Sequence, residues 1–156
     1  MPRRAVATDV PLVAALYHSV WHETQAPFMP AEEVARRNIT FFQDRMIRLL
    51  QSTLVVDRSG SIAGFSSWRG TLLGQIFVAA PYRGSALATD LMVATEKAMS
   101  SEDIAVAELH CVVGNHRARR FYERLGWRHE GEIAETVAGP DGEVKVSFWC
   151  MRKSLS

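Results

Sequence analysis

The chain holds little that would place it in a specialised class of protein. It has two cysteines, Cys111 and Cys150, each inside an apolar run. Two are too few for a disulfide framework, so the expected state is a pair of buried free thiols in a reducing compartment. Neither sign of charge dominates. A formal net charge of +1 lacks the electrostatic footprint of a protein that binds nucleic acid or a membrane surface. No apolar run approaches the ~20 residues that cross a bilayer. The opening Met1-Pro2-Arg3-Arg4 leads to Asp9 and Pro11, not to the apolar core of a signal peptide. A Gly-Lys-Ser/Thr phosphate loop is missing, which disfavours a nucleotide enzyme of that kind. His18 and His22 have the i, i+4 spacing of metal ligands, but Ser19 stands where a zincin-type helix carries its glutamate, so no metal is expected. There is no repeat, linker or low-complexity stretch where a second domain would begin. The expectation is one soluble, cytoplasmic domain over residues 1–156, large enough to bury about two-thirds of its unfolded surface.

What is present is a sequence of alternating periods. Residues Arg3 to Ala7 read as a short strand. Thr8 and Asp9 are good N-caps, Pro11 suits a first helical turn, and Leu12, Val13, Leu16, Tyr17 and Val20 recur at helical spacing up to about Trp21. Pro27 and Pro30 break that helix. From Ala31 to Gln51 the residues favour one long helix or two short ones, with Asn38 to Thr40 as the weak point. Arg36, Arg37, Arg45 and Arg48 are interspersed with Glu32, Glu33 and Asp44, which reads as a solvated helix face. Strands follow at Thr53 to Asp57, Ile62 to Trp68 and Leu72 to Val78, the first two joined by a hairpin turn at Arg58-Ser59-Gly60-Ser61. A helix over Ser85 to Met99 leads to a strand over Ala105 to Val113. Asn115 then caps a helix to Leu125 that closes on Gly126 as its left-handed C′ residue. Strands at Trp127 to Glu135 and Val144 to Lys153 form a closing hairpin. The order is mixed α/β: β-α-α-β-β-β-α-β-α-β-β. The helical crossover after Val78 makes its two flanking strands parallel and right-handed in connection.

The stretch from Gln75 to Leu91 is the chemical centre of the chain. A strand ends at Pro81, Arg83 and Gly84 form a turn, and a helix begins. Unpaired N–H groups at such a helix start face an anion. The segment Val78 to Ala88 resembles the acyl-CoA-binding loop of the GNAT N-acyltransferases, Val-x-Pro-x-Tyr-Arg-Gly-x-Gly-x-Gly/Ala. Asn115-His-Arg-Ala-Arg-Arg-Phe-Tyr-Glu-Arg-Leu-Gly-Trp127 is similar to the partner motif of that family, Asn-x-x-Ala-x-x-Phe-Tyr-x-x-x-Gly-Phe. Two motifs in the right order, separated by a helix and a strand, are a specific signal.

The resemblance implies a central, mostly antiparallel sheet of about seven strands with one splayed parallel pair, flanked by about four helices. It implies transfer of an acetyl group from acetyl-CoA to a primary amine, with CoA as product. A homodimer through the terminal hairpin or sheet edge is also implied. The cofactor would lie on Ile76, Phe77 and Val78, where a peptide-like arm pairs with open strand backbone. Its phosphates would lie on Arg83, Gly84, Ser85, Ala86, Leu87 and Ala88. Ala86 and Ala88 replace the commoner glycines, which is tolerable if both have helical dihedrals. Asn115 has two compatible roles, cofactor contact and helix N-cap. Tyr122 is the expected catalytic acid, protonating the departing thiolate from a phenol with a reference pKa near ~10.

The base is open among Glu23, Glu108 and His110. Many family members place a glutamate on the strand that here carries Gly74 and Gln75, neither of which can serve. The acceptor must lose a proton before it attacks. At pH 7 a lysine-like amine is neutral about once in a few thousand, and an α-amine about once in ten. Gln75 therefore tilts the expectation toward an acceptor of low amine pKa. Glu108 and His110 share one strand face by the period-two rule. Cys111 reads as a buried thiol, not a nucleophile. Trp21, Phe28 and Met29 line either the acceptor pocket or the core. The rival reading is a CoA-binding regulatory module that keeps the fold without turnover.

Overall fold

The computed structural model of the chain describes residues 1–156. Seven strands form a single sheet: β1 (Arg3–Arg4), β2 (Thr53–Arg58), β3 (Ser61–Arg69), β4 (Leu72–Val78), β5 (Val106–Val112), β6 (Arg128–Gly139) and β7 (Gly142–Ser154). Their spatial order is β1-β2-β3-β4-β5-β7-β6, and every pairing is antiparallel except β4 with β5. Five α-helices flank the sheet: α1 (Val10–Thr24), α2 (Ala31–Arg36), α3 (Ile39–Leu49), α4 (Leu87–Ser101) and α5 (His116–Arg124). The stretch after Ala31 is thus two helices. They part at Arg37, whose ψ of 59° leaves the helix, and α3 restarts where the Asn38 side chain accepts a hydrogen bond from the Phe41 N–H at 2.9 Å.

The sheet is covered on both faces. On one, Leu87, Leu91, Met92 and Met99 of α4 bury themselves against Leu54, Val56, Ala63, Leu73, Ala107 and Leu109, and α5 packs Phe121 and Tyr122 beside them. On the other, Val13, Tyr17 and Trp21 of α1 and Phe42 and Met46 of α3 cover Val55, Ile62 and Phe65. Alternation along each strand feeds both layers, so Leu54 and Val55 point to opposite cores. Trp21 is core, Met29 packs against the α1/α3 layer, and Phe28 stays exposed with its ring against Gly114.

Four local expectations change. β1 is only two residues long. The Asp9 carboxylate turns back to accept from the Val6 N–H at 2.7 Å and from Arg3, so it does not cap α1 through its side chain. The closing hairpin is longer, because Thr136–Gly139 continue the ladder to a turn at Pro140-Asp141.

The arginine cluster is the fourth, since much of it is built into the packing. Glu33 is fully buried and accepts from Arg36, from Arg37 at 2.6 Å and from the Ala138 N–H of β6 at 3.0 Å. Arg37 lies over the rings of Trp21 and Phe41, and Arg45 over Phe41. Arg37 and Arg45 are half-buried, while Arg36 and Arg48 are exposed. Burial by itself would raise the Glu33 carboxyl. Hydrogen bonds from Arg36, the Ala138 N–H and Arg37 outweigh it and hold the group at about 2. This latch seats α2 against the far strand of the sheet.

Candidate active site

The site forms where β4 and β5 part. They pair in parallel only at Leu72↔Glu108 and Leu73↔Leu109, while β3 follows β4 to its end at Gly64↔Val78. The divergence begins at a bulge. Ser67 opposes Gln75 and Trp68 opposes Leu73, so Gly74 is an extra residue that bends β4 away. Beyond it, Ile76, Phe77 and Val78 have no β5 partner. Gln75 is not free either, for its side-chain carbonyl accepts from the Ser67 hydroxyl.

After β4, a 3-10 turn at Ala80–Tyr82 aims the chain into α4. Gly84 has φ +79° with open space around an added Cβ, so this turn uses glycine for its backbone angle. Ala86 has φ −72° and ψ −5°, a conformation that costs alanine nothing. Gly84, Ser85 and Ala86 are exposed, Leu87 is buried and Ala88 half-buried. The Ser85 hydroxyl is donated to the Tyr82 carbonyl and accepts from the Leu87 N–H at 3.3 Å, which shortens α4 relative to the expected start.

Arg83 ties the end of β4 to the end of α1. Its Nε donates to the Val78 carbonyl at 3.3 Å and its Nη1 pairs with Glu23 at the end of α1. Its Nη2 is buried with no partner. A buried guanidinium nitrogen without an acceptor is costly. An anionic oxygen would satisfy it, and the residues present fit a CoA phosphate. Asn115 caps α5, its side-chain oxygen accepting from the Ala118 N–H at 3.2 Å.

Strand β5 divides the remaining chemistry between the two faces of the sheet. Cys111 is buried on the α4/α5 face beside Tyr122. Burial pushes the half-buried Tyr122 phenol well above its ordinary value, and the Cys111 thiol adds to the effect. The hydroxyl therefore keeps its proton at neutral pH. Burial also pushes the Cys111 thiol up to about 11, against a smaller pull from Arg119, which leaves it inert as a nucleophile.

Glu108 and His110 lie on the opposite face. His110 Nε2 is 2.6 Å from Glu108 Oε2 and Nδ1 is 3.1 Å from Glu135 Oε1, while Arg152 Nε donates to the other Glu108 oxygen at 2.9 Å. Glu135 first, and then Glu108, raise the His110 pKa against the opposing effect of burial. The His110 bond lowers that of Glu108. Glu23 is exposed on α1 and committed to Arg83, apart from this group. His22 Nε2 is hydrogen-bonded to the Arg37 carbonyl at 2.7 Å, so the helical histidine pair is occupied with packing.

Glu135 and Arg152 escaped the sequence reading. They stand on β6 and β7, and only the strand order β5-β7-β6 brings them to His110. Their one signal in the sequence is a charged residue within an otherwise strand-like run.

The geometry agrees with what comparison finds. None of the curated protein sequences matches the chain. Solved structures do, at low identity. A GCN5-related N-acetyltransferase of Rhodopseudomonas palustris superposes with a TM-score of 0.78 at 20% identity, covering 99% of this chain and 94% of the other. The PaiA N-acetyltransferase of Thermoplasma acidophilum, solved in complex with coenzyme A, gives 0.75 at 17%, covering 99% and 98%. The yncA protein of Salmonella typhimurium, solved with acetyl-CoA, gives 0.72 at 16%, covering 100% and 94%. No helix is long and apolar enough to cross a membrane. A model of the acetyltransferase (GNAT) family matches residues 13–127, and the chain belongs to that family of acetyl-CoA-dependent acyltransferases.

Proposed function

We propose that residues 1–156 form a single N-acetyltransferase domain that passes an acetyl group from acetyl-CoA directly to a primary amine. When bound, acetyl-CoA supplies the acetyl group as an activated thioester. Ile76, Phe77 and Val78 would hold its arm along the free β4 edge. Arg83, Gly84, Ser85, Ala86, Leu87 and Ala88 would hold its phosphates, with Asn115 alongside.

One observation carries the reading. Around β5, a protonated phenol, Tyr122 of α5, packs on one face of the sheet, and a carboxylate–imidazole–carboxylate chain built on β5 and β6 lies on the other. Direct transfer needs a proton donor for the leaving thiolate and a proton acceptor for the attacking amine, approached from different sides. Tyr122 Oη holds the first proton. Glu108, His110 and Glu135 accept the second as a relay. A proton arriving at Glu108 drives the one shared with His110 Nε2 onto the ring, and the ring passes its Nδ1 proton to Glu135, which is 44% exposed and returns it to water. The relay assigns the base role to Glu108 and His110 over Glu23. A cytosolic location and a homodimer through the β6–β7 hairpin belong to the same proposal. The two buried free thiols support the former and the open edge of β6 the latter.

The test is thiol release from acetyl-CoA across a panel of amines that spans α-amines, lysine-like amines and polyamines. Release is expected with at least one class, strongest where the amine pKa is low, and His110→Ala should lower kcat by about 10²-fold or more. Tight CoA binding with no turnover on any amine would favour the non-catalytic module, for which Gln75 in place of a carboxylate is the one supporting feature.

A further inference from the structure

Cys150 takes no part in the proposed proton relay, yet it lies against it. It is the cross-strand partner of His110 on the antiparallel β5–β7 ladder, so the two side chains share a face. The ligand-forming atoms of Glu108, His110 and Cys150 all lie within 4.8 Å of one another. Around a tetrahedral zinc-type ion, bonds of about 2.0–2.3 Å set thiolate, imidazole and carboxylate atoms about 3.3–3.6 Å apart. Rotamer adjustments on two adjacent strands cover that difference.

The surroundings separate this group from an ordinary ion-pair cluster. A metal-bound histidine characteristically donates its second ring N–H to a carboxylate, which fixes the ring and makes it a better ligand. His110 Nδ1 already has such a partner in Glu135 at 3.1 Å. Glu108 is likewise oriented, because Arg152 holds one of its oxygens at 2.9 Å and leaves the other beside His110 Nε2. Cys150 is buried, whereas Glu108 is 27% exposed and leaves the group open to solvent on its side.

We propose that Glu108, His110 and Cys150 form a binding site for a soft divalent transition ion of the zinc type. The mixed sulfur, nitrogen and oxygen donor set suits zinc and excludes magnesium and calcium, which take oxygen ligands only. On binding, the ion replaces the proton between His110 Nε2 and Glu108 and expels the thiol proton of Cys150 to solvent. A fourth position stays open to water. Because the ion occupies Nε2 and Oε2, it also closes the relay, so zinc inhibits acetyl transfer. Only this inhibition rests on the acetyltransferase reading; binding stands apart from it.

Cobalt(II) titrated into the chelator-treated protein reads the site directly. A thiolate-to-cobalt charge-transfer band in the near ultraviolet is expected, together with the strong visible bands of a tetrahedral ion, and zinc should displace both. Cys150→Ala should abolish the charge-transfer band while CoA binding and cooperative thermal unfolding persist. Glu135→Gln should weaken zinc binding by about 10–100-fold, the usual cost of losing an outer partner. If Cys150→Ala does not fold, Glu108→Gln and His110→Asn must each remove the tetrahedral spectrum. Absence of the band in the native protein, or its survival in Cys150→Ala, overturns the site. In the activity arm, zinc should block thiol release in the native protein and lose that effect in Cys150→Ala. A cobalt band without zinc inhibition leaves the site standing and overturns the relay; inhibition without the band overturns the site.

Discussion

The Glu33 latch offers the sharpest test of the packing that supports the site. Glu33→Gln keeps the volume and one acceptor for the Ala138 N–H, but removes the charge that Arg36 and Arg37 share. A carboxyl held at about 2 in place of 4.5 stabilises the folded state by about 3 kcal/mol at neutral pH. Mutational experience with broken buried ion pairs gives about 3–5 kcal/mol, so the two routes agree. Arg37 explains why the cost is not absorbed: its side chain is only 14% exposed and cannot swing out to water without uncovering Trp21 and Phe41. The sign of the pH dependence follows from the lowered carboxyl. Its stabilisation is complete above pH 4.5, about half remains at pH 3, and it is lost as pH falls through 2. Urea unfolding of native protein and variant at pH 7, 5 and 3 reads the effect. The gap should be about 3 kcal/mol at the first two and clearly smaller at the third. A gap under 1 kcal/mol at pH 7, or one that does not close on acidification, would refute the reasoning. Because the latch seats β6, which carries Glu135, kcat should fall in the same variant under conditions where it stays folded.

Three further outcomes are expected. Tyr122→Phe keeps the ring packed beside Phe121 and should lower kcat by about 10²–10⁴-fold with little change in CoA affinity; wild-type activity in steady-state assays would remove the acid assignment. Arg83→Ala deletes the orphaned Nη2 and should weaken CoA binding by roughly 10–100-fold in calorimetry, since a hydrogen bond to a charged group is worth about 1.5–3 kcal/mol; unchanged affinity would place the phosphates elsewhere. Gly84→Ala meets no neighbouring atom but must hold φ +79°, which should cost about 1–2 kcal/mol in denaturant unfolding, and a neutral result would mean that the turn relaxes.

Local rules reached far along this chain. β4 spans the residues that the sequence predicts, and α5 agrees to within a residue at each end, because their signals are contained within a few neighbouring residues: an apolar run bounded by breakers, and an asparagine cap with a glycine stop. The arginine cluster shows where such rules end. Composition gives interspersed charges the look of a solvated face, and nothing local to Glu33 announces that the Ala138 N–H, over a hundred residues away, will bury it.

By itself the sequence determined the order of elements, the parallel crossover after Val78, the turn at Arg83-Gly84, and the candidacy of Tyr122, Glu108 and His110. Each of these follows from short-range periodicity, from glycine and proline geometry, or from a motif whose residues are contiguous. Only the tertiary structure decided that Glu23 answers to Arg83, that Glu135 and Arg152 complete the His110 group, and that Cys150 stands beside it. The pairings around His110 depend on the strand order β5-β7-β6 and on register, and a slip of one residue would turn those strand side chains to the other face, whereas Glu23 meets Arg83 where the end of α1 lies beside the turn after β4.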